Sequence, residues 1–150
     1  MRLKNKVAIV SGGSRDIGRA VSLQLAKEGA KVVVNYFDNK DLAEETLKMI
    51  QDLGGEGIIV KADMTKAAEV EALVANARQA FGEEINVLVN VVGGLVARKT
   101  TAEMDENFWD FVMNVNLKSV FLAVKAVSPF MPAGSSIVNF SSLAARDGGG

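Results

Sequence analysis

Apolar residues along this chain follow two alternating rhythms. Short runs rich in Val and Ile, at Val7–Val10, Lys31–Tyr36, Gly57–Lys61, Val87–Asn90 and Ser136–Phe140, have the length and composition of strands covered on both faces. Between them, apolar positions recur at helical spacing. Ile17, Ala20, Val21 and Leu25 form one stripe; Val70, Leu73, Val74, Ala77 and Phe81 form a second; Phe108, Phe111, Val112 and Val115 form a third. Helix stops are equally plain, with Gly29 after Lys27-Glu28, Gly54-Gly55 after Leu53, and Gly82 after Phe81. This alternation predicts βαβ units and an α/β fold, a doubly wound parallel sheet with helices on both faces. No internal repeat or low-complexity linker divides residues 1–150, so one domain is expected.

In such a sheet the ligand crevice lies beyond the carboxyl ends of the strands. The groups just past those ends are Ser11 to Gly18, Phe37-Asp38, Asp63, Asn90 to Gly94, and Ser141-Ser142. The first of these loops says most. A short apolar strand runs into Ser11-Gly12-Gly13-Ser14-Arg15-Asp16-Ile17-Gly18, and a helix begins inside the turn. That arrangement brings backbone N–H groups and the positive end of a helix dipole against a phosphate, which makes the unit a dinucleotide-site candidate. Gly12 permits the tight turn, and Gly18 lets the helix pack closely on the strand. Asp16 brings negative charge to the same place. Asp tolerates left-handed backbone better than most residues; its side chain is free either to cap the helix or to pair with Arg15 or Arg19.

Composition narrows the chemistry. The chain has 150 residues, 49% hydrophobic and 23% charged, which suits a globular domain with a core of its own. Net charge is −1, with basic and acidic residues interspersed, so no nucleic-acid footprint is expected. There is no cysteine and no histidine, which removes disulfides, thiolate catalysis, a Ser-His-Asp triad and Cys- or His-ligated metal. The apolar run after Lys6 is too short for a signal-peptide core. The uncharged run Ala126 to Ala145 is broken by Pro129, Pro132 and Gly134, so no membrane span is expected there. A cytoplasmic protein is the simplest expectation.

Five motifs, in order, resemble the short-chain dehydrogenase/reductase family from about Lys4 onward. The family's T-G-x-x-x-G-x-G appears as Ser11-Gly12-Gly13-Ser14-Arg15-Asp16-Ile17-Gly18, with Asp16 in place of the middle glycine. Its N-N-A-G appears as Asn90-Val91-Val92-Gly93, and its acidic residue after strand three as Asp63, followed by Met64. Its helix asparagine matches Asn116 in Val115-Asn116-Leu117, with Asn114 the competing choice, and its I-V-N-x-S-S matches Ile137 to Ser142. The resemblance, closest to the branch of 3-oxoacyl-carrier-protein reductases and sugar or general alcohol dehydrogenases, implies a Rossmann domain. It also implies hydride transfer between a nicotinamide cofactor and a carbonyl or secondary alcohol. Gly12, Ser14, Arg15, Asp16, Ile17, Gly18, Tyr36, Phe37, Asp63, Met64, Asn90 and Gly93 would then bind the cofactor, with Asp63 on adenine. Ser142 would polarise the substrate carbonyl, and Asn116 would organise a proton-relay water.

Cofactor choice rests on the end of strand two, where NAD-preferring relatives carry an acidic residue. Here Tyr36 and Phe37 stand there, and Arg15 can reach a 2′-phosphate, so NADP is preferred over NAD. Asp38 favours NAD if the strand ends later. The family's proton donor, a Tyr in Y-x-x-x-K, would fall just beyond Gly150, and the one tyrosine present is Tyr36. The expectation is therefore a sheet incomplete at its C-terminal end, in the ordered portion of a longer enzyme. If the chain truly ends there, the alternative is a dinucleotide-binding module without catalysis. Leu117, Val120, Phe121, Val124 and Val127 form the stripe that packs against another subunit in the family, which implies a homo-oligomer acting on a small molecule.

Overall fold

The computed structural model describes residues 1–148. Five parallel strands, β1 (Val7–Ser11), β2 (Lys31–Tyr36), β3 (Glu56–Lys61), β4 (Val87–Asn90) and β5 (Ser136–Asn139), form one sheet in the order β3-β2-β1-β4-β5. Helices α1 (Asp16–Lys27), α2 (Lys40–Asp52) and α3 (Ala67–Phe81) follow the first three strands. After β4, α4 (Glu106–Met113) continues through a π-helical turn at Asn114–Lys118 into α5 (Ser119–Val127). A short α6 (Ala144–Asp147) follows β5. The chain builds outward from β1 to β3, then returns to pair β4 with the other side of β1. That reversal is the topological switch point, where ligands bind in doubly wound sheets.

Strand alternation divides the core into two layers. Ala8, Val10, Val32, Val34 and Val89 meet Ala26 of α1 and Ile50 of α2 on one face. Ile9, Val33 and Leu88 meet Leu73, Val74 and Ala77 of α3 and Leu122, Ala123 and Val127 of α5 on the other. Strands buried on both faces explain the near-continuous Val and Ile runs. The expected strands differ from those observed by a residue at most: β1 includes Ser11, β3 begins at Glu56 and β5 stops at Asn139. Gly29, Gly54 and Gly82 follow the ends of α1, α2 and α3 with positive φ, as the helix-stop reading required.

Two helical stripes need correction. In α1 the fully buried line is Gly18, Ser22 and Ala26, whereas Ile17 and Ala20 are exposed and Val21 and Leu25 only partly covered. The helix leaves the glycine turn so close to β1 that only small side chains fit beneath it. A β-carbon on Gly18 would fall on the Gly12 carbonyl and 2.9 Å from Gly13 Cα. On α5 the stripe splits. Val127 is buried and Val120 and Val124 are partly covered, but Leu117 and Phe121 remain 59% and 58% exposed. Phe111 of α4 is exposed as well, while Phe108, Val112 and Val115 are half-buried. The continuous helix Glu106–Phe130 has the length and mean hydropathy, 1.3, to cross a bilayer, but its Leu122, Ala123 and Val127 are packed in the core. Strand β5 is exposed at every residue.

Candidate cofactor cleft

A cleft of about 540 Å³ opens at the carboxyl ends of β1, β2, β3 and β4. Its floor is the turn from β1 into α1. Gly12 has φ +64, and Asp16 is also left-handed, with φ +47. Few L-residues adopt that conformation, and Asp is among those that do. The Asp16 carboxylate caps nothing: Arg15 is the N-cap residue and no side chain caps the helix. Of the alternatives for Asp16, the structure shows a loose pair with Arg15, Nε to Oδ2 at 3.8 Å, both side chains largely exposed. Arg19 pairs elsewhere, with Glu45 at 2.7 Å.

Buried polar side chains hold this turn. Asn35, inside the otherwise apolar β2, is 1% exposed. Its Oδ1 accepts from Gly12 N–H at 3.0 Å and its own carbonyl accepts from Gly13 N–H at 2.9 Å. Its Nδ2 donates across to the Ala62 carbonyl at 3.1 Å, so one side chain aligns the ends of β1, β2 and β3. Ser11 closes the switch point, its hydroxyl accepting from Val91 N–H at 3.0 Å and Val92 N–H at 3.3 Å. At the far wall, Asp63 accepts from Thr65 N–H at 2.9 Å and Thr65 Oγ1 at 2.7 Å, and its own N–H donates to Glu69.

The structure brings Gly12, Ser14, Arg15, Asp16, Ile17, Gly18, Tyr36, Phe37, Asp63, Met64 and Gly93 together as lining of this single cleft. Asp38, Thr65, Val92, Phe111 and Val115 join them. Asn90 lies apart from the lining: it is 3% exposed and its Nδ2 donates to Asn139 Oδ1 at 2.8 Å, tying β4 to β5. Asn116 sits in the π-helical turn beside the mouth. Its Oδ1 accepts from Gly94 N–H at 2.8 Å while its Nδ2 donates to the Gly94 carbonyl at 3.0 Å, so it grips one residue by both backbone groups. Ser142 is exposed beyond β5, and its hydroxyl accepts from Ala144 N–H at 3.2 Å. Neither Asn116 nor Ser142 lines the cleft.

Asn35 went unremarked in the motifs, and Ser11 and Arg19, though named there, were not assigned the roles they hold around the turn. Each left a trace in the sequence: an amide inside the apolar β2, a hydroxyl at the end of β1, a guanidinium in the first turn of α1.

A left-handed glycine, a second glycine with no room for a β-carbon and a cleft at the switch point define a doubly wound, Rossmann-like α/β protein. The family model described as short chain dehydrogenase matches residues 6–150, so the chain belongs to the short-chain dehydrogenase family. It is 38% identical over 141 residues to the 3-oxoacyl-[acyl-carrier-protein] reductase of Staphylococcus epidermidis, covering 93% of this chain and 57% of that relative. Among solved structures, it resembles the NADH-dependent reductase A1-R′ complexed with NAD (TM-score 0.90, 35% identity, 99% of this chain, 64% of that one). It resembles equally a short chain dehydrogenase of Burkholderia cenocepacia in complex with NADP (TM-score 0.90, 33% identity, 97% and 59%). The chain thus spans little more than half the length of the curated relatives it matches.

Proposed function

We propose that this chain is the dinucleotide-binding part of an NAD(P)-dependent oxidoreductase acting on a carbonyl or secondary alcohol, a 3-oxoacyl thioester, sugar or simple alcohol, with NADP the preferred cofactor. The observation that carries the reading is the turn at Gly12–Gly18, which has no room for a β-carbon at Gly13 or Gly18 and opens into a cleft of about 540 Å³ at the switch point. When bound, the cofactor supplies the hydride chemistry.

The chain's own residues bind and orient it. Backbone N–H groups of the turn and the α1 dipole face the pyrophosphate. Tyr36, Phe37, Asp63 and Met64 receive the adenosine end, and Val92, Gly93, Phe111 and Val115 bound the other end of the cleft. NADP is favoured because Arg15, on the cleft wall, is a permanent cation of the right shape for a 2′-phosphate, while Tyr36 and Phe37 are uncharged. Asn116 and Ser142 are assigned to the proton relay and to carbonyl polarisation. Soluble, cytoplasmic action as a homo-oligomer follows the family pattern.

One observation favours a second reading, a chain that binds dinucleotide without catalysis: Ser142 donates nothing toward the cleft and lies outside its lining. Titration with NADP⁺ and NAD⁺ tests the cofactor reading. Tighter binding of NADP⁺, with the difference erased in Arg15→Ala, supports it; no binding of either dinucleotide overturns it. Carbonyl reduction by the bound protein, lost in Ser142→Ala, separates the enzyme from the binding module.

A further inference from the structure

On the side of the glycine turn that faces α2, one guanidinium and one hydroxyl converge on one backbone oxygen. The Ser14 carbonyl accepts from Arg19 Nε at 3.3 Å, Arg19 Nη2 at 3.2 Å and Thr46 Oγ1 at 2.8 Å. The cluster is itself held. Arg19 Nε donates to Thr46 Oγ1 at 2.8 Å, and Nη2 reaches the Leu42 carbonyl at 3.3 Å and Glu45 Oε2 at 2.7 Å. Thr46 is fully buried and the Arg19 side chain is 21% exposed, so water competes little for these bonds. A carbonyl that faces a guanidinium and a buried hydroxyl, whose one proton lies between it and the Leu42 carbonyl at 3.0 Å, is better fixed than a surface turn requires.

The chemistry of the peptide says what this achieves. The unit is trans and planar, so its N–H points opposite to its C=O. Holding the Ser14 carbonyl toward α2 therefore turns the Arg15 N–H the other way. We infer that Arg19 and Thr46 are positioning residues, which fix the Ser14–Arg15 peptide so that the Arg15 N–H is presented to the cofactor pyrophosphate. The inference rests on the cofactor reading above. It also links the two ends of the cleft, because α2 starts immediately after the Phe37–Asp38 segment at the adenosine end. Preorganising one donor in this manner removes the ordering cost that a mobile loop would incur on binding.

The test compares a ligand that carries the pyrophosphate with one that lacks it. Arg19→Met and Thr46→Val are titrated with NADP⁺ and with adenosine, followed by NMR shifts, alongside thermal melting. Positioning predicts about tenfold weaker NADP⁺ binding in each variant, adenosine binding unchanged within twofold, and partial recovery in Arg19→Lys, which keeps one charged donor. A merely structural bridge between α1 and α2 lowers the melting temperature without this split. Equal losses for both ligands, or none, therefore overturn the inference, and Thr46→Val, nearly isosteric, keeps the answer readable if Arg19→Met does not fold. Wild-type protein that binds adenosine but neither dinucleotide would overturn the cofactor reading itself, and with it the inference.

Discussion

Around β1 and β2 the polar groups that hold the glycine turn, Ser11, Asn35 and Thr46, are buried and multiply bonded, whereas Asn116 and Ser142, beyond β4 and β5, are exposed. Strands β1 and β2 are buried almost throughout; β5 is exposed from end to end. Asn35 makes bonds to three strands' ends and the Ser14 carbonyl is met by both Arg19 and Thr46, while the Ser142 hydroxyl meets the amide two residues away. Trp109, Phe111, Leu117 and Phe121 on α4, the π-helical turn and α5, and Ile137, Val138 and Phe140 near β5, all lie open. The contrast teaches that the proposed grip on a dinucleotide rests on contacts inside the first half. Asn116 and Ser142, the residues proposed for carbonyl activation, are not held by contacts of that kind.

The hardest test of this contrast compares two glycines. Gly18→Ala places a β-carbon on the Gly12 carbonyl and 2.9 Å from Gly13 Cα, backbone atoms that cannot turn aside. Overpacking of that kind costs about 3 kcal/mol, and moving α1 off the turn should weaken NADP⁺ binding by about 100-fold or more. Gly94→Ala, in the second half, meets nothing within 4 Å and should leave both melting temperature and binding unchanged. Titration and melting of the two variants decide the matter. Similar losses in both would mean that the halves are equally constrained, and the comparison would be wrong.

How much of this was legible beforehand follows from the same physics. Strand runs could be read because a doubly covered parallel sheet demands nearly unbroken Val and Ile, and helix stops because αL backbone demands glycine. The two cores were legible for α3, whose Val70, Leu73, Val74 and Ala77 all face inward. The buried face of α1 was not. Hydrophobic spacing pointed to Ile17 and Ala20, but proximity to β1 selects Gly18, Ser22 and Ala26 for smallness rather than apolarity. Most proposed cofactor residues fall on the cleft because strand order alone sends successive loops to one edge. Asn90 departs from it because its amide is engaged with Asn139, a pairing visible only once β4 and β5 lie side by side. Arg19 and Thr46 lie 27 residues apart in sequence, and no local pattern brings them to one carbonyl.

A smaller effect sharpens the picture of the first half. Asp16 is left-handed at φ +47 and lines the cleft wall against which the proposed cofactor's pyrophosphate would lie. Asp16→Gly removes both the backbone strain and the charge. NADP⁺ affinity should rise about fivefold, the equivalent of 1 kcal/mol, with a slightly higher melting temperature. The competing effect is the pair with Arg15 at 3.8 Å, whose loss frees that guanidinium. Because both side chains are largely exposed, the pair contributes little, and the net change should favour binding. Weaker binding in Asp16→Gly would show instead that the carboxylate holds Arg15 in place for the ligand.

The smallest effect belongs to the second half and probes whether its local bonds stay local. Glu103 closes a capping box on Thr100, accepting from the Thr100 N–H and hydroxyl, each at 2.8 Å. The backbone N–H, then the hydroxyl, hold its carboxyl below the ordinary glutamate value of 4.5. A carboxyl whose folded pKa is depressed stabilises the fold at pH above its unfolded value and loses that contribution as pH falls through the folded one. The turn at Thr101–Glu103 should therefore be intact at neutral pH and loosen only below pH 4.5. An NMR titration should show the Thr100 amide shifting with the Glu103 carboxyl, at a midpoint below that of a glutamate in an unfolded peptide. Glu103→Ala at pH 7 isolates the turn from the cleft's own carboxylates. It should move the Thr100 amide and leave NADP⁺ affinity within twofold of wild type. A larger loss would mean that the 95–104 loop reaches the cleft through Gly93 and Gly94, whose grip by Asn116 is then the coupling between the halves.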